Sequence, residues 1–184
     1  MEKSDNSVFA RMTEHLDLIQ LAYTYRKFNL WDSNVVHPSI CLGALPSGVP
    51  LLRIASAYSA LALNGAYREP NFIRGCLTQT GHIMPFKTQE FKIIADFKTV
   101  GHLKIALRHA GIKLDNLIFS GKTGTTKTGS LFAGYNDQVS LALWLDYKKA
   151  LPESSPKAIT SRNVVEKILN RLLGYRSGYL FEIG

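Results

Sequence analysis

Hydrophobic and polar positions change period several times along the chain, and each change marks an element. From residue 7 to 29, Val8, Met12, Leu16, Ile19 and Tyr23 recur at spacings of three and four, the single apolar stripe of an amphipathic helix. Asp5 or Asn6 ahead of it is placed to cap the first free N–H groups. Residues 31 to 50 carry the breakers Asp32-Ser33-Asn34, Pro38-Ser39 and Pro46-Ser47-Gly48 and read as loop. Pro50 then opens a helix over Leu51 to Leu63, stopped by Asn64-Gly65. Its polar residues Arg53, Ser56 and Ser59 share one strip, so it is expected to be buried on most sides. Asn71 to Leu77 and Ile83 to Phe86 read as two short strands joined through Thr80-Gly81, the second weakened by Pro85. Val100 to His109 reads as a helix closed by Gly111.

The last third switches to period two. Asn116 to Thr126 and Leu131 to Tyr135 are joined by a turn at Lys127-Thr128-Gly129. A two-residue loop, Asn136-Asp137, leads into a strand in which Val139, Leu141, Leu143, Leu145 and Tyr147 alternate with Ser140, Ala142, Trp144 and Asp146. Three consecutive strands with tight turns predict an antiparallel meander. A Pro-containing linker, Leu151 to Pro156, precedes a helix with the stripe Val165, Ile168, Leu169 and Leu172, ended by Gly174. Helices and strands in separate blocks predict an α+β fold, helices packed on an antiparallel sheet.

Composition narrows the function classes rather than the fold. The 184 residues suffice for one domain, and 46% hydrophobic with 20% charged residues is ordinary for a globular chain. A net charge of +8 favours anionic partners without choosing among them. Two cysteines, Cys41 and Cys76, make no disulfide framework and sit beside apolar residues as expected buried thiols. No stretch approaches the roughly 18 apolar residues that span a membrane, and Met1 to Asn6 shows no signal-peptide core. His102 and His109 are seven apart on one helix, with no third ligand spaced to join them. Tyr58 reads as core. No metal, cofactor or nucleic-acid partner is expected.

The sharpest chemical feature is Ser120-Gly121-Lys122-Thr123-Gly124-Thr125-Thr126. In a strand, Thr123 and Thr125 fall on one face and Lys122 and Gly124 on the other. Glycine at 124 lets a ligand's backbone lie close, so this strand is suited to pair a bound peptide, with hydroxyls and an ammonium near its carboxylate. As a bare structural feature it is a Gly/Thr-rich edge strand running into a turn. A phosphate loop is excluded: the required glycine position holds Asn116, Leu117-Ile118-Phe119 reads as strand, and no helix follows. Ser4-Asp5-Asn6 can present a hydroxyl and an amide, though these residue types equally cap helices.

Taken in order, Ser4-Asp5-Asn6, His37 to Ala44, Pro50 to Tyr58 with Leu63-Asn64-Gly65, Ser120 to Thr126, and Leu131 to Tyr135 resemble the later part of the transpeptidase domain of class A (bifunctional) penicillin-binding proteins. The set S-x-x-K, S-D-N and K-T-G is a known signature of penicillin-recognising enzymes. The resemblance implies a partial penicillin-binding-protein/β-lactamase-like fold over residues 1 to 184. It implies peptidoglycan cross-linking: a serine attacks the D-Ala-D-Ala terminus of a stem peptide, an amine of a second stem peptide resolves the acyl-enzyme, and β-lactams mimic the donor. Ser4 would join the proton-shuttling network, Asn6 would hold a donor amide, and Lys122 would supply positive charge. Thr123 and Thr125, with Gly124 between them, would bind the substrate carboxylate. The Thr125 N–H would be half of the oxyanion hole, a donor typically worth ~3–4 kcal/mol to the transition state.

The chain departs from that family at the nucleophile, since only three residues precede Ser4. Its one S-x-x-K spacing, Ser154-Ser155-Pro156-Lys157, follows the strands and is spoiled by Pro156. Removing the nucleophile of a serine hydrolase costs roughly six powers of ten in turnover, so this stretch alone is expected to be inactive. Lesser departures are Leu131 for a usual tryptophan, Asp146 for a frequent glycine, and a shortened segment before Ser120. The last strand loses its family partner and becomes an aggregation-prone edge, so the chain alone is expected to be marginally stable. Two readings follow: a C-terminal transpeptidase fragment, whose partner would be the missing N-terminal half, or a non-catalytic peptide-binding or interaction module derived from that domain. The resemblance places the parent enzyme outside the cytoplasmic membrane and anchored to it.

Overall fold

A computed structural model describes residues 5–31, 37–45, 48–87, 89–114, 117–126, 128–147 and 160–174. Ser4, the hairpin residues Asn116 and Lys127, the 151–156 linker and Ser154 to Lys157 lie outside the described residues. The N-terminal helix is two helices, α1 at Asn6–Thr13 and α2 at Leu18–Lys27. Asp17 separates them: its carboxylate accepts the Ile19 and Gln20 N–H groups and starts a new helix where continuous periodicity predicts one. Asp5 caps α1 in the same way through the Ser7 N–H, and the Ser7 hydroxyl together with that N–H holds its carboxyl below the usual carboxylate range. The predicted stripe is not buried. Val8, Met12, Leu16, Ile19 and Tyr23 are all exposed, Ile19 to 73%. The pair instead closes a small core of Ala22, Trp31 and Ile40 over a 3-10 helix at Pro38–Leu42, inside the segment expected to be all loop.

Helix α3 runs over Leu51–Ala62, with Pro50 just outside it as N-cap rather than as first helical residue. It ends at Asn64 and Gly65, both at positive φ. It buries Ser56, Ala57, Ala60 and Leu61, so Ser56, expected on the polar strip, is on the packed face with its hydroxyl bonded back to the Leu52 carbonyl. Leu51 and Leu52 are exposed. Strands β1 (Ala66–Tyr67) and β4 (Lys92–Ile93) pair with each other, two residues each and too short for a period to register. Between them β2 (Gly75–Leu77) and β3 (Ile83–Pro85) form the expected antiparallel ribbon around Gly81, with Pro85 inside the ladder. Cys76, expected to be buried, is exposed on that ribbon. Helix α4 spans Phe97–Ala110, capped by Asp96.

The main sheet has four antiparallel strands in the order β5-β6-β7-β8. Strand β5 (Ile112–Leu114) adds an unpredicted member to the meander of β6 (Leu117–Thr125), β7 (Gly129–Tyr135) and β8 (Ser140–Asp146). In the β7–β8 loop the central residues are Asp137 and Gln138, one position later than expected. Asn136 begins the turn: its N–H donates to the Val139 carbonyl, and its side-chain oxygen accepts the Gln138 and Val139 N–H groups. Helices α3 and α4 cover one face of the sheet, and α5 (Ser161–Gly174) covers the other.

Register explains both cores. Phe119 and Phe132 face α5 and are fully buried with Ile112, Val165 and Leu169. Tyr135 faces the opposite layer with Leu61, Val100 and Leu107, and Tyr58 packs beside it, its ring 6.3 Å away. Tyr58 is core as predicted, and burial pushes its hydroxyl up to about 12. Gly121 and Gly134 pair across β6 and β7 under the two phenyl rings. A Cβ on Gly121 would collide with the Ala133 carbonyl and the Phe132 ring, and one on Gly134 with the Ser120 carbonyl. Gly124 differs, because a Cβ there meets only the Leu131 Cβ, at an ordinary 3.8 Å.

Two of the three neighbouring strand positions are therefore sterically constrained and one is not. Gly121→Ala is expected to destabilise the chain by about 1–3 kcal/mol and Phe132→Ala by about 3–5 kcal/mol. Gly124→Ala should stay within about 1 kcal/mol of the wild type. Urea midpoints of the three variants check the order.

Candidate functional site

Strand β6 changes pairing partner along its length. Strand β5 pairs with Leu117 to Phe119 and goes no further, while β7 runs alongside β6 from Ser120 to Thr125. From Ser120 onward, no described strand occupies the other side of β6. Gly111 marks the departure: it lies against the Phe119 carbonyl and Ser120, where only glycine fits, and its own carbonyl accepts the Arg162 guanidinium at 3.2 Å.

The hydrogen-bond phase at that open edge follows from one bond. The Thr126 N–H donates to the Gly129 carbonyl at 2.8 Å, and antiparallel pairs alternate between bonded and non-bonded. Gly124, Lys122 and Ser120 then spend their backbone groups on β7. Gly121, Thr123 and Thr125 direct theirs away from β7, where Gly111 lies beside Gly121 and no described strand pairs with Thr123 or Thr125. The Thr123 carbonyl is there for a charged donor, since it accepts the Lys122 ammonium at 2.9 Å.

Side chains divide by face. Lys122 and Gly124 lie opposite Ala133 and Leu131, on the layer of α3 and α4. Thr123 and Thr125 lie opposite Phe132 and Ser130, on the α5 layer, where the Ser130 hydroxyl bonds the Ser161 hydroxyl at 2.7 Å. Lys122 and Thr123 are half-buried, and Gly124 and Thr125 are exposed. Partial burial draws the Lys122 ammonium below the ordinary lysine range.

The four β6 residues singled out from sequence thus share one open strand edge. Asn6 stands on a different element, exposed in the first turn of α1, and its side chain makes no hydrogen bond to a described residue. His102 and His109 lie on α4, and no group of three metal-ligating side chains occurs among the described residues. Sequence reasoning missed β5, and with it the point where β6 passes from one neighbour to the other. The alternation in Gly111-Ile112-Lys113-Leu114, with Ile112 fully buried and Lys113 exposed, is the signal that carries it. Beside the first turn of β6, Arg108, Ser120, Tyr135, Asn136 and Asp137 border a hollow of about 440 Å³. Burial raises the Tyr135 phenol there, with Ser120 pulling the other way.

An open antiparallel strand with outward amide and carbonyl groups, flanked by a lysine and two threonines on an α+β scaffold, has the geometry by which an extended peptide can add as a further strand. No family model matches the chain. It is 27% identical to penicillin-binding protein 1F of Bacillus subtilis over 146 residues, 71% of this chain and 20% of that protein. It is 25% identical to penicillin-binding protein 2D of the same species over 162 residues, 79% of this chain and 23% of that protein. The chain thus spans about a fifth of the length of the curated relatives it matches. Among solved structures, penicillin-binding protein A of M. tuberculosis, an imipenem acyl-enzyme complex, superposes over 93% of this chain and 46% of its own, with a TM-score of 0.77 and 13% identity. The D,D-transpeptidase domain of a peptidoglycan glycosyltransferase from Eggerthella lenta does so over 94% and 52%, with a TM-score of 0.66 and 15% identity. The chain is a partial relative of the penicillin-binding proteins and has the fold of part of their transpeptidase domain.

Burial of Lys122 has a thermodynamic consequence. Its pKa is lowered in the folded state, so between that value and the ordinary 10.5 the unfolded chain binds more protons. Stability from this group therefore rises with pH across that window. The stability of the wild type relative to Lys122→Met should increase as pH rises towards 10.5, read from paired urea titrations. A pH-independent difference would mean that the ammonium is fully solvated.

Proposed function

We propose that these residues form the substrate-carboxylate wall of a peptidoglycan D,D-transpeptidase, and that its nucleophilic serine comes from a segment outside them. The observation that carries this reading is the open edge of β6, with the Thr125 N–H and Thr123 carbonyl facing outward beside Lys122. A stem peptide ending in D-Ala-D-Ala would lie along that edge as an added strand, close against Gly124, which packing does not require to be glycine.

Chemistry then divides between two segments. The serine oxygen adds to the penultimate D-Ala carbonyl, and the developing oxyanion takes a hydrogen bond from the Thr125 N–H. The bond to the terminal D-Ala breaks as its nitrogen receives a proton through a network containing Ser4 and Lys122. Asn6 holds a donor amide, and Thr123 and Thr125 bind the terminal carboxylate. An amine of a second stem peptide then displaces the serine and completes the cross-link. A β-lactam would follow the first half and stop at the acyl-enzyme. In this reading residues 1 to 184 are one partial domain, working on the outer face of the cytoplasmic membrane. No helix among the described residues is long and apolar enough to cross one.

Two unsatisfied surfaces support a second segment. Among the described residues strand β8 ends the sheet, with Trp144 exposed, and none of them covers the apolar stripe of α1 and α2. A strand and a helix from the complementing segment would cover them.

Incubation with a fluorescent penicillin tests the assignment. The chain alone should not be labelled. Co-expressed with the S-x-x-K segment of a related transpeptidase domain, it should support labelling that Lys122→Ala reduces by at least ~100-fold. Labelling of the chain alone would overturn the division of the site. A complemented protein that binds D-Ala-D-Ala peptide in calorimetry, yet is never labelled, would identify a binding module instead.

A further inference from the structure

The β2–β3 ribbon is chemically distinct from the rest of the surface. From Gly75 to Phe86 the chain holds no Asp, Glu, Lys or Arg, and Arg74 and Lys87 stand immediately outside that stretch. Register places Leu77 opposite Ile83 on one face, and Cys76 opposite Met84 on the other. Both faces are exposed: Leu77 and Ile83 to 71% and 76%, Met84 and Phe86 to 55% and 52%. No other described element packs extensively against the ribbon.

Two features bear on what covers such a surface. The turn is bonded internally: the Thr78 N–H donates to the His82 carbonyl at 2.9 Å, the Gly81 N–H to the Thr78 carbonyl at 3.0 Å, and the His82 N–H to the Thr78 hydroxyl at 3.0 Å. The Thr78 and Thr80 hydroxyls pair at 3.0 Å. Polar groups paired in this way can leave water at low cost. Pro85 pairs with Gly75 at a position whose backbone groups face away from the ladder, so the outer edge of β3 lacks an N–H where an added strand would need one. A protein groove would cover one face of the ribbon, whereas a bilayer surrounds an inserted element on every side.

We propose that the β2–β3 ribbon inserts into the interfacial layer of an anionic lipid bilayer, with Arg74 and Lys87 at the level of the phosphate groups. Charge complementarity selects this occupant. The net charge is +8, and Arg74 and Lys87 bracket the uncharged stretch; farther along the chain on either side, Arg68 and Lys92 are balanced by Glu69 and Glu90, so the pair at the ribbon's ends carries the local positive charge. The four or five residues beyond Arg74 extend about 15 Å at ~3.3 Å each, enough for the ~5–10 Å depth of interfacial insertion. This inference is independent of the transpeptidase reading, since the ribbon carries none of the residues assigned to it.

Flotation of the full chain with vesicles tests it. Binding is expected to vesicles of equal phosphatidylcholine and phosphatidylglycerol, and at least ~10-fold more weakly to phosphatidylcholine alone. The double variants Leu77→Asp/Ile83→Asp and Arg74→Glu/Lys87→Glu should each weaken binding by at least ~10-fold, with unchanged circular dichroism melts. No binding to the mixed vesicles, or binding unaffected by either pair, would overturn the proposal. So would a dimer in light scattering that Leu77→Asp/Ile83→Asp dissociates, which would assign the ribbon to a second copy.

Discussion

The β6–β7 pairing is the constraint on which the rest of the structure depends. Gly121 and Gly134 face each other across it, and the space their missing side chains leave is filled by the Phe119 and Phe132 rings. That packing fixes which face of the sheet belongs to α5. Because side chains alternate strictly, it also fixes that Tyr135 and Lys122 belong to the other layer, under α3 and α4. A slip of β6 by one residue against β7 would move the Phe119 ring to the α3 face and Lys122 into the α5 core, so the same contact that builds the core positions the ammonium. The site inherits its geometry from the core.

Glycines within Ser120 to Thr126 therefore carry different meanings. Gly121 is demanded by the opposing backbone and an aromatic ring, and would be glycine in a sheet of this packing whatever the strand did. Gly124 has room for a side chain and sits where β6 has no neighbour on one side. A residue the fold leaves free, at an edge with outward hydrogen-bonding groups, points to a ligand more strongly than the motif spelled as a whole. A β-bulge or a tight bend, the usual structural reasons for a strand glycine, is not needed at 124, because its pairing with Leu131 is regular.

Legibility followed the length and environment of each element. The meander could be read because β8 alternates over seven residues, and α4 and α5 because each runs for fourteen. Two- and three-residue strands such as β1, β4 and β5 hold too few positions to establish a period, and long-range pairing selects them. The break between α1 and α2 was hidden for another reason. Leu16 continues the spacing across it, and the Asp17 cap outweighs that continuity locally. At the site, the identities of Lys122, Thr123, Gly124 and Thr125 were legible. The direction of their backbone groups was not, because it depends on the β6–β7 register, and whether that side is paired depends on where β5 stops.

The same stripe shows what hydrophobic periodicity measures. Val8, Met12, Leu16, Ile19 and Tyr23 repeat as a buried face would, yet all are exposed in this chain, together with the edge of β8. Periodicity records that a surface is suited to be covered and does not identify the cover. A self-sufficient domain of this size would be expected to bury so regular a stripe. The opposite case is the β2–β3 ribbon, whose exposed apolar residues lie on both faces and follow no one-sided pattern. A one-sided stripe suits another protein surface, and a two-sided ribbon suits a medium. On that distinction, the two proposals assign the uncovered parts of this chain to different partners, and only the first of them would bear on the site on β6.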